Sequence, residues 1–251
     1  MAFGFSVEDR RKHNIQILIG QYVPPELVDE MSRNLTKINL DGEIREMTVL
    51  FTDVRNFTTI SENMEPKELT QFINSFLTPL TRVLHHNRGT IDKYMGDCAM
   101  IIFGAPLEDA QHQFNAVSCA ILIQRLIKRL NIEREKQGKI TNEFRIGINS
   151  GEMLAGNMGS HDRMQYTVVG EAVNLAARLH TAAEQGQIVI TDTLVKSADV
   201  KWRIIAHRHK SIELRGIAEP VTTYIVTDIK TPYADEMDKH IETILAKKFV
   251  A

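Results

Sequence analysis

The chain has 251 residues, 43% hydrophobic and 25% charged, with 30 basic and 32 acidic side chains and a formal net charge of −2. This balance supports a sizeable core and excludes collagen, coiled-coil and disordered classes; it argues against broad nucleic-acid binding, which needs a basic face. Cys98 and Cys119 make no disulfide framework, and no apolar run approaches the roughly 20 residues that span a bilayer.

Residues 1–46 read as a helical lead-in. A helix is expected over 6–19, Tyr22–Glu26 breaks it, and Pro25 opens a short helix over 26–34. Either this is a solvated surface segment or it transduces a signal into the unit downstream of it. The opening Met1–Ser6 has no apolar secretory core.

From Met47 the pattern becomes mixed. Met47–Thr52 suits a central strand covered on both faces. Leu69, Phe72, Ile73, Phe76, Leu77, Leu80, Val83 and Leu84 recur at helical spacing, predicting a helix over 66–87. Thr90–Met95 and Cys98–Phe103 flank Gly96-Asp97, a two-residue hairpin signal. A long helix is expected over 109–134, then a strand over 144–149. Gly151–Gly159 holds three glycines and reads as a bent strand or a loop. A strand over 166–169 and a helix over 171–184 come next. Further strands are expected at 187–191, 200–207 and 221–226, and a helical tail lies within 229–251. Strand, helix, hairpin, helix, strand is the order of an α+β, ferredoxin-like βαββαβ core. Additional C-terminal strands and helices complete it, giving one unit over 47–228.

Asp53 ends the first core strand and Asp97 sits at the hairpin tip, so both carboxylates converge at one sheet edge. With no thiolate and no nearby His, the pair favours a hard, oxygen-loving ion, Mg²⁺ or Mn²⁺. The plainer alternatives are a helix cap and a turn residue. Asn56–Thr59 passes from strand into a helical turn whose N–H groups could hold phosphate. Asn174 and Arg178 share a helix face at i,i+4, either solvated or presenting a cation to a ligand. Lys93 interrupts an apolar strand, as an edge-protecting charge would, and Thr167 is a good strand former. No P-loop, nucleophile elbow or dinucleotide glycine fingerprint is present.

Together these residues resemble the catalytic domain of class III nucleotidyl cyclases. Thr48-Val49-Leu50-Phe51-Thr52-Asp53-Val54-Arg55-Asn56-Phe57-Thr58 resembles the family's first metal-binding segment, and Asp92-Lys93-Tyr94-Met95-Gly96-Asp97 the second. Gln165 to Leu179, with Thr167, Asn174 and Arg178, resembles the segment for base recognition and the transition state. Leu214 to Val221 resembles the closing segment, and Gly20 to Glu26 the lead-in. The resemblance implies that Asp53 and Asp97, helped by the Val54 carbonyl, ligate two Mg²⁺ ions, with Mn²⁺ supporting activity in vitro. It implies that Phe57 and Thr58 meet the triphosphate through their backbone, with Arg163 as an extra contact. Lys93 and Thr167 would read the purine, Asn174 the ribose, and Arg178 the pentacovalent phosphorus.

The implied unit is a head-to-tail homodimer with composite sites, converting ATP to 3′,5′-cyclic AMP and pyrophosphate. It would be the cytoplasmic output domain of a signalling protein whose regulatory domain lies upstream; a membrane-attached full-length protein is compatible with this. Lys and Thr at the base-reading positions imply adenine, and Thr adds bicarbonate as a candidate effector. Many members carry a triphosphate-contacting Lys where Ile217 stands, which leaves Arg215 or Lys210 to substitute. A guanylate or promiscuous purine cyclase, and an inactive nucleotide-sensing module, are the competing readings.

Overall fold

The computed structural model describes residues 42–54, 56–160, 162–213 and 219–246. The helices expected over 6–19 and 26–34, and positions Arg215 and Ile217, lie outside them. In chain order the elements are β1 (Glu43–Val54), α1 (Phe57–Glu62), α2 (Pro66–His86), β2 (Thr90–Met95), β3 (Cys98–Phe103), α3 (His112–Lys136), β4 (Phe144–Ser160) and β5 (Arg163–Val169). Then come α4 (Glu171–Ala182), β6 (Ile188–Thr191), α5 (Asp192–Lys196), β7 (Ile204–Ile212), β8 (Val221–Ile229) and α6 (Tyr233–Ala246). The sheet order is β2-β3-β1-β4-β6-β8-β7, with β5 paired to β4 off this path. The α+β class and the ferredoxin-like core with C-terminal additions are as expected.

The two long helices bury their apolar stripes on one face of this sheet. Phe72, Phe76, Leu80, Val83 and Leu84 of α2 join Val117, Ile121, Leu122 and Leu126 of α3 over Leu50, Ile101, Ile146 and Ile148. Phe76 stands edge-on to both Phe72 and Phe144, at 5.4 and 5.3 Å between ring centroids. On the other face a smaller cluster of Met47, Val49, Phe51, Met100 and Ile102 meets α4 through Ala176. Helix α6 docks on α3, where Arg125 reaches Asp228 at 2.6 Å and Asp238 at 2.8 Å. No helix among the described residues is long and apolar enough to cross a membrane.

The observed elements differ from expectation at several places, and β1 begins at Glu43, inside the span 1–46 expected as a helical lead-in. β4 is one 17-residue strand, not a strand followed by bends. Its glycines mark close approaches instead: a Cβ on Gly156 would lie 2.6 Å from Gly42 Cα, and one on Gly151 3.0 Å from Ala172 Cβ. β7 starts at Ile204, not Val200, because Val200 is fully buried from within a turn closed by Arg203 N–H to Val200 C=O. An apolar core residue in a turn mimics a strand residue in sequence. Between them the short helix α5 is capped by Thr191, whose hydroxyl accepts the Leu194 N–H.

Candidate functional site

The strand register assembles the carboxylate pair. β1 pairs with β3 up to Thr52↔Ala99, and with β4 through Asp53↔Arg145 and Val54↔Phe144. The β2–β3 turn needs Gly96 at φ 69°, in the left-handed region, and presents Asp97 beside Val54, whose backbone favours the charged carboxylate. Asp53 is 8% exposed. Arg145 clamps it with two parallel bonds, Nε to Oδ1 at 2.8 Å and Nη2 to Oδ2 at 2.7 Å. His180 Nε2 lies 3.2 Å from Oδ1. Burial pushes the Asp53 carboxyl up, but His180 and Arg145 overcome it and hold the group below the ordinary carboxylate value. Asp97 has no such clamp. Burial raises it above the ordinary value, and the charge of Asp53 adds to the rise.

The expectation that no His lies near the pair is corrected. His180 reaches Asp53 because α4 packs backbone-to-backbone on β4: a Cβ on Gly147 would sit 2.1 Å from His180 N. A thiol is close as well. Cys98 is pushed up to about 12 by burial and by the charges of Asp53 and Asp97, so near neutral pH it stays protonated and is no thiolate ligand. Among the described residues no group of three or more His, Cys, Asp or Glu could hold a metal. Two carboxylates, one poorly neutralised, and the adjacent Val54 carbonyl still fit a hard divalent cation that completes its shell with oxygens from elsewhere.

A second cluster forms between β2 and β5. Lys93 Nζ donates to Thr167 Oγ1 at 3.4 Å and pairs with Asp92 at 3.0 Å. Two residues 74 apart in sequence thus face one point. On α4, Ala176 and Leu179 are buried while Asn174 is exposed and Arg178 half-buried. Among the described residues neither Asn174 nor Arg178 makes a side-chain hydrogen bond or ion pair, and none links them or the exposed Arg163 to either cluster. Phe57 and Thr58 begin α1 after Asn56, which turns the chain at φ 59°. The first backbone bond there is Ile60 N–H to Asn56 C=O, so the Phe57 and Thr58 N–H groups precede the helical ladder. Lys210 lies on β7 and its carbonyl accepts from Thr223 Oγ1 at 2.6 Å. The groove between α3 and β8, lined by Gln124, Lys128, Glu143 and Asp228, holds none of these residues.

Arg145, His180 and Asp92 escape the sequence reading. The signal for Arg145 is a charge between Phe144 and Ile146 in an apolar strand; for Asp92 it is a second charge beside Lys93.

Residues 41–228 match the family model described as the adenylate and guanylate cyclase catalytic domain. An adenylate cyclase of Anabaena cylindrica is 34% identical over 192 residues, which is 72% of this chain and 37% of that protein. The crystal structure of the adenylyl cyclase CyaB from P. aeruginosa is 36% identical, with TM-score 0.71 over 75% of this chain and 97% of that one. That of the guanylyl cyclase Cya2 is 33% identical, with TM-score 0.71 over 76% and 96%. The chain spans well under half the length of the curated relatives it matches.

Proposed function

The chain belongs to the adenylate and guanylate cyclase catalytic-domain family, and from that premise we propose that it converts ATP to 3′,5′-cyclic AMP and pyrophosphate. The observation that carries the choice of adenine is the 3.4 Å approach of Lys93 to Thr167. Lys93 donates to adenine N1, and the Thr167 hydroxyl accepts from the 6-amino group. Guanine presents the reverse pattern at both atoms.

Asp53, Asp97 and the Val54 carbonyl would hold two Mg²⁺ ions, or Mn²⁺ in vitro. Such ions, when bound, lower the pKa of the ribose 3′-hydroxyl and neutralise the leaving pyrophosphate. The remaining work falls to this chain's own groups. Arg178, half-buried and without a counter-ion among the described residues, meets the charge that develops at the α-phosphorus. Asn174, one turn earlier, orients the ribose. The N–H groups of Phe57 and Thr58 receive triphosphate oxygens. Arg145, beside Asp53, supplies a further positive charge there, and Arg163 another at the rim.

The reading includes a head-to-tail homodimer, with Asp53 and Asp97 from one subunit and Lys93, Thr167, Asn174 and Arg178 from the other. Two features support it: no bond joins the two clusters within the described chain, and Met95, Met164 and Val169, on the strands that carry Lys93 and Thr167, stay about half exposed. The unit would act in the cytoplasm as the output of a longer signalling protein, with the segment before β1 as transducer and the segment after β8 as tail. The test is incubation with ATP or GTP and Mg²⁺ or Mn²⁺, with and without bicarbonate, followed by chromatography for cyclic nucleotides and pyrophosphate. Cyclic AMP in excess is expected. Predominant cyclic GMP overturns the choice of base, and no cyclic nucleotide under any condition overturns catalysis.

A further inference from the structure

We propose that Asp92 fixes the donor–acceptor polarity of the base pocket, acting through Thr167 as a positioning residue that selects adenine over guanine. This rests on the adenylate reading above and adds a residue to it.

The placement of Asp92 is itself unusual. The β2–β3 register passes from Ile91↔Ile101 to Lys93↔Met100, so Asp92 is the extra residue of a bulge. In a regular strand Asp92 and Lys93 would point to opposite faces. The bulge re-aims them, and the Asp92 carboxylate comes to lie 3.0 Å from Lys93 Nζ. Its side chain is wholly shielded from solvent, whereas that of Lys93 keeps 34% exposure. Burial pushes the Asp92 carboxyl above its ordinary value, and its neighbours, the Lys93 ammonium at 3.0 Å and the Thr167 hydroxyl, oppose that rise; neither carboxylate oxygen makes a settled hydrogen bond, so both are open to the Thr167 proton. A carboxylate buried this completely is held there by those two groups.

Counting protons gives the consequence. An ionised carboxylate only accepts, and a threonine hydroxyl has one proton to give. With that proton turned to Asp92, the Thr167 oxygen can only accept, from Lys93 on one side and from the nucleotide on the other. Lys93 has three protons; one goes to Asp92, one to Thr167, and one remains for the base. The pocket therefore offers an acceptor beside a donor, complementary to the 6-amino group and N1 of adenine. Guanine offers an O6 acceptor and an N1–H donor, so both contacts fail. Without Asp92 the Thr167 hydroxyl rotates freely and can donate to O6. An amide in its place can donate to Thr167 from its own NH₂ and favours that outcome.

The test compares the full chain with its Asp92→Asn, Thr167→Val and doubly substituted forms, using ATP, GTP and ITP. ITP carries the O6 and N1–H of guanine without the 2-amino group. Preference is read twice, from kcat/KM and from equilibrium binding of the non-cyclisable α,β-methylene analogues. Asp92→Asn is expected to lower the ATP/GTP and ATP/ITP ratios about tenfold, the scale of one misdirected hydrogen bond. Because Asp92 acts through Thr167, the double substitution should fall no further than Thr167→Val alone. A residue that merely neutralised Lys93 would shift all three nucleotides alike and leave the ratios unchanged, and that result overturns the proposal. So does additivity in the double variant. Asp92→Ser, which keeps a small polar group, repeats the test should the amide perturb folding. A parent chain that prefers neither purine sinks the adenylate reading and this one together; a parent that prefers ATP, with ratios unmoved by Asp92→Asn, sinks only this one.

Discussion

Arg145→Met isolates the clamp on Asp53. Methionine keeps much of the arginine volume but removes both hydrogen bonds and the charge, leaving Asp53 with His180 at 3.2 Å. Breaking a buried ion pair from one side costs about 3–5 kcal/mol. Here the Arg145 and Asp53 side chains retain 20% and 12% exposure, so the screened loss should be about 2–3 kcal/mol. In a domain of this size that lowers Tm by roughly 4–12 °C. The pH dependence gives the sign. The folded pKa of Asp53 lies below its unfolded value, so its stabilisation is fully present above the unfolded value and is lost as pH falls through the folded one. Without Arg145 only His180 opposes burial, so the folded pKa rises. The deficit should therefore be largest near pH 7 and should narrow only as pH falls through the folded pKa of the parent Asp53, below the ordinary carboxylate value. Urea unfolding at pH 7 and at about pH 2.5 measures it. Asp53→Asn added to Arg145→Met should restore at least about 1 kcal/mol, because the stranded charge is gone. A deficit of equal size at both pH values, or none at pH 7, would refute the clamp.

Asp97→Asn should nearly abolish cyclisation, by about 10²-fold or more, while raising Tm near neutral pH, since the Asp97 carboxyl is disfavoured in its charged form by burial and by Asp53; a lower Tm counts against the reading. Lys93→Glu with Thr167→Cys should relax preference toward GTP, and an unchanged ATP/GTP ratio would remove both as base readers. Mixing Asp53→Asn with Arg178→Ala, each inactive alone, should restore roughly a quarter of parental activity through half-mixed dimers with one intact site of two. Asp53→Asn mixed with Asp97→Asn should restore none, and rescue there would overturn the division of residues between subunits.

What is legible in the sequence is what is local. The α2 stripe and the Gly96-Asp97 hairpin are written in spacing, and both stand as expected. The Lys93–Thr167 meeting is legible only through family resemblance, since no local pattern joins β2 to β5. Register is non-local, so nothing in the run Phe144–Asn149 says that Arg145 falls opposite Asp53. The bulge at Asp92 belongs to the same class: it depends on how β2 meets β3. Glycines mislead in a third way. Gly151 and Gly156 suggest bends, yet each, like Gly147 inside the expected strand, admits another backbone or helix against β4. It is the approach at Gly147 that carries His180 to Asp53, so a packing residue with no side chain helps to build the carboxylate site.

On the proposed reading, the charges of the chain suit a nucleoside triphosphate part by part. Asp53 and Asp97 against Arg145 leave one negative charge in excess, and Asp97 is the group left poorly compensated. That is where a divalent cation gains most, because it relieves the repulsion that already lifts Asp97. Asp92 against Lys93 leaves none, and a neutral pocket with directed hydrogen bonds suits an uncharged base, whose binding brings no charge to balance. Arg178 stands without a partner among the described residues, half-buried on α4. An unpaired guanidinium in that setting gains from an anion that water alone does not supply, and most from one whose charge grows as the reaction proceeds. The same partition explains why the fold tolerates the site: each buried carboxylate carries its own cation, Asp53 with Arg145 and Asp92 with Lys93, so neither depends on ligand to remain buried. Only the groups at the rim of each cluster are left for the nucleotide to complete.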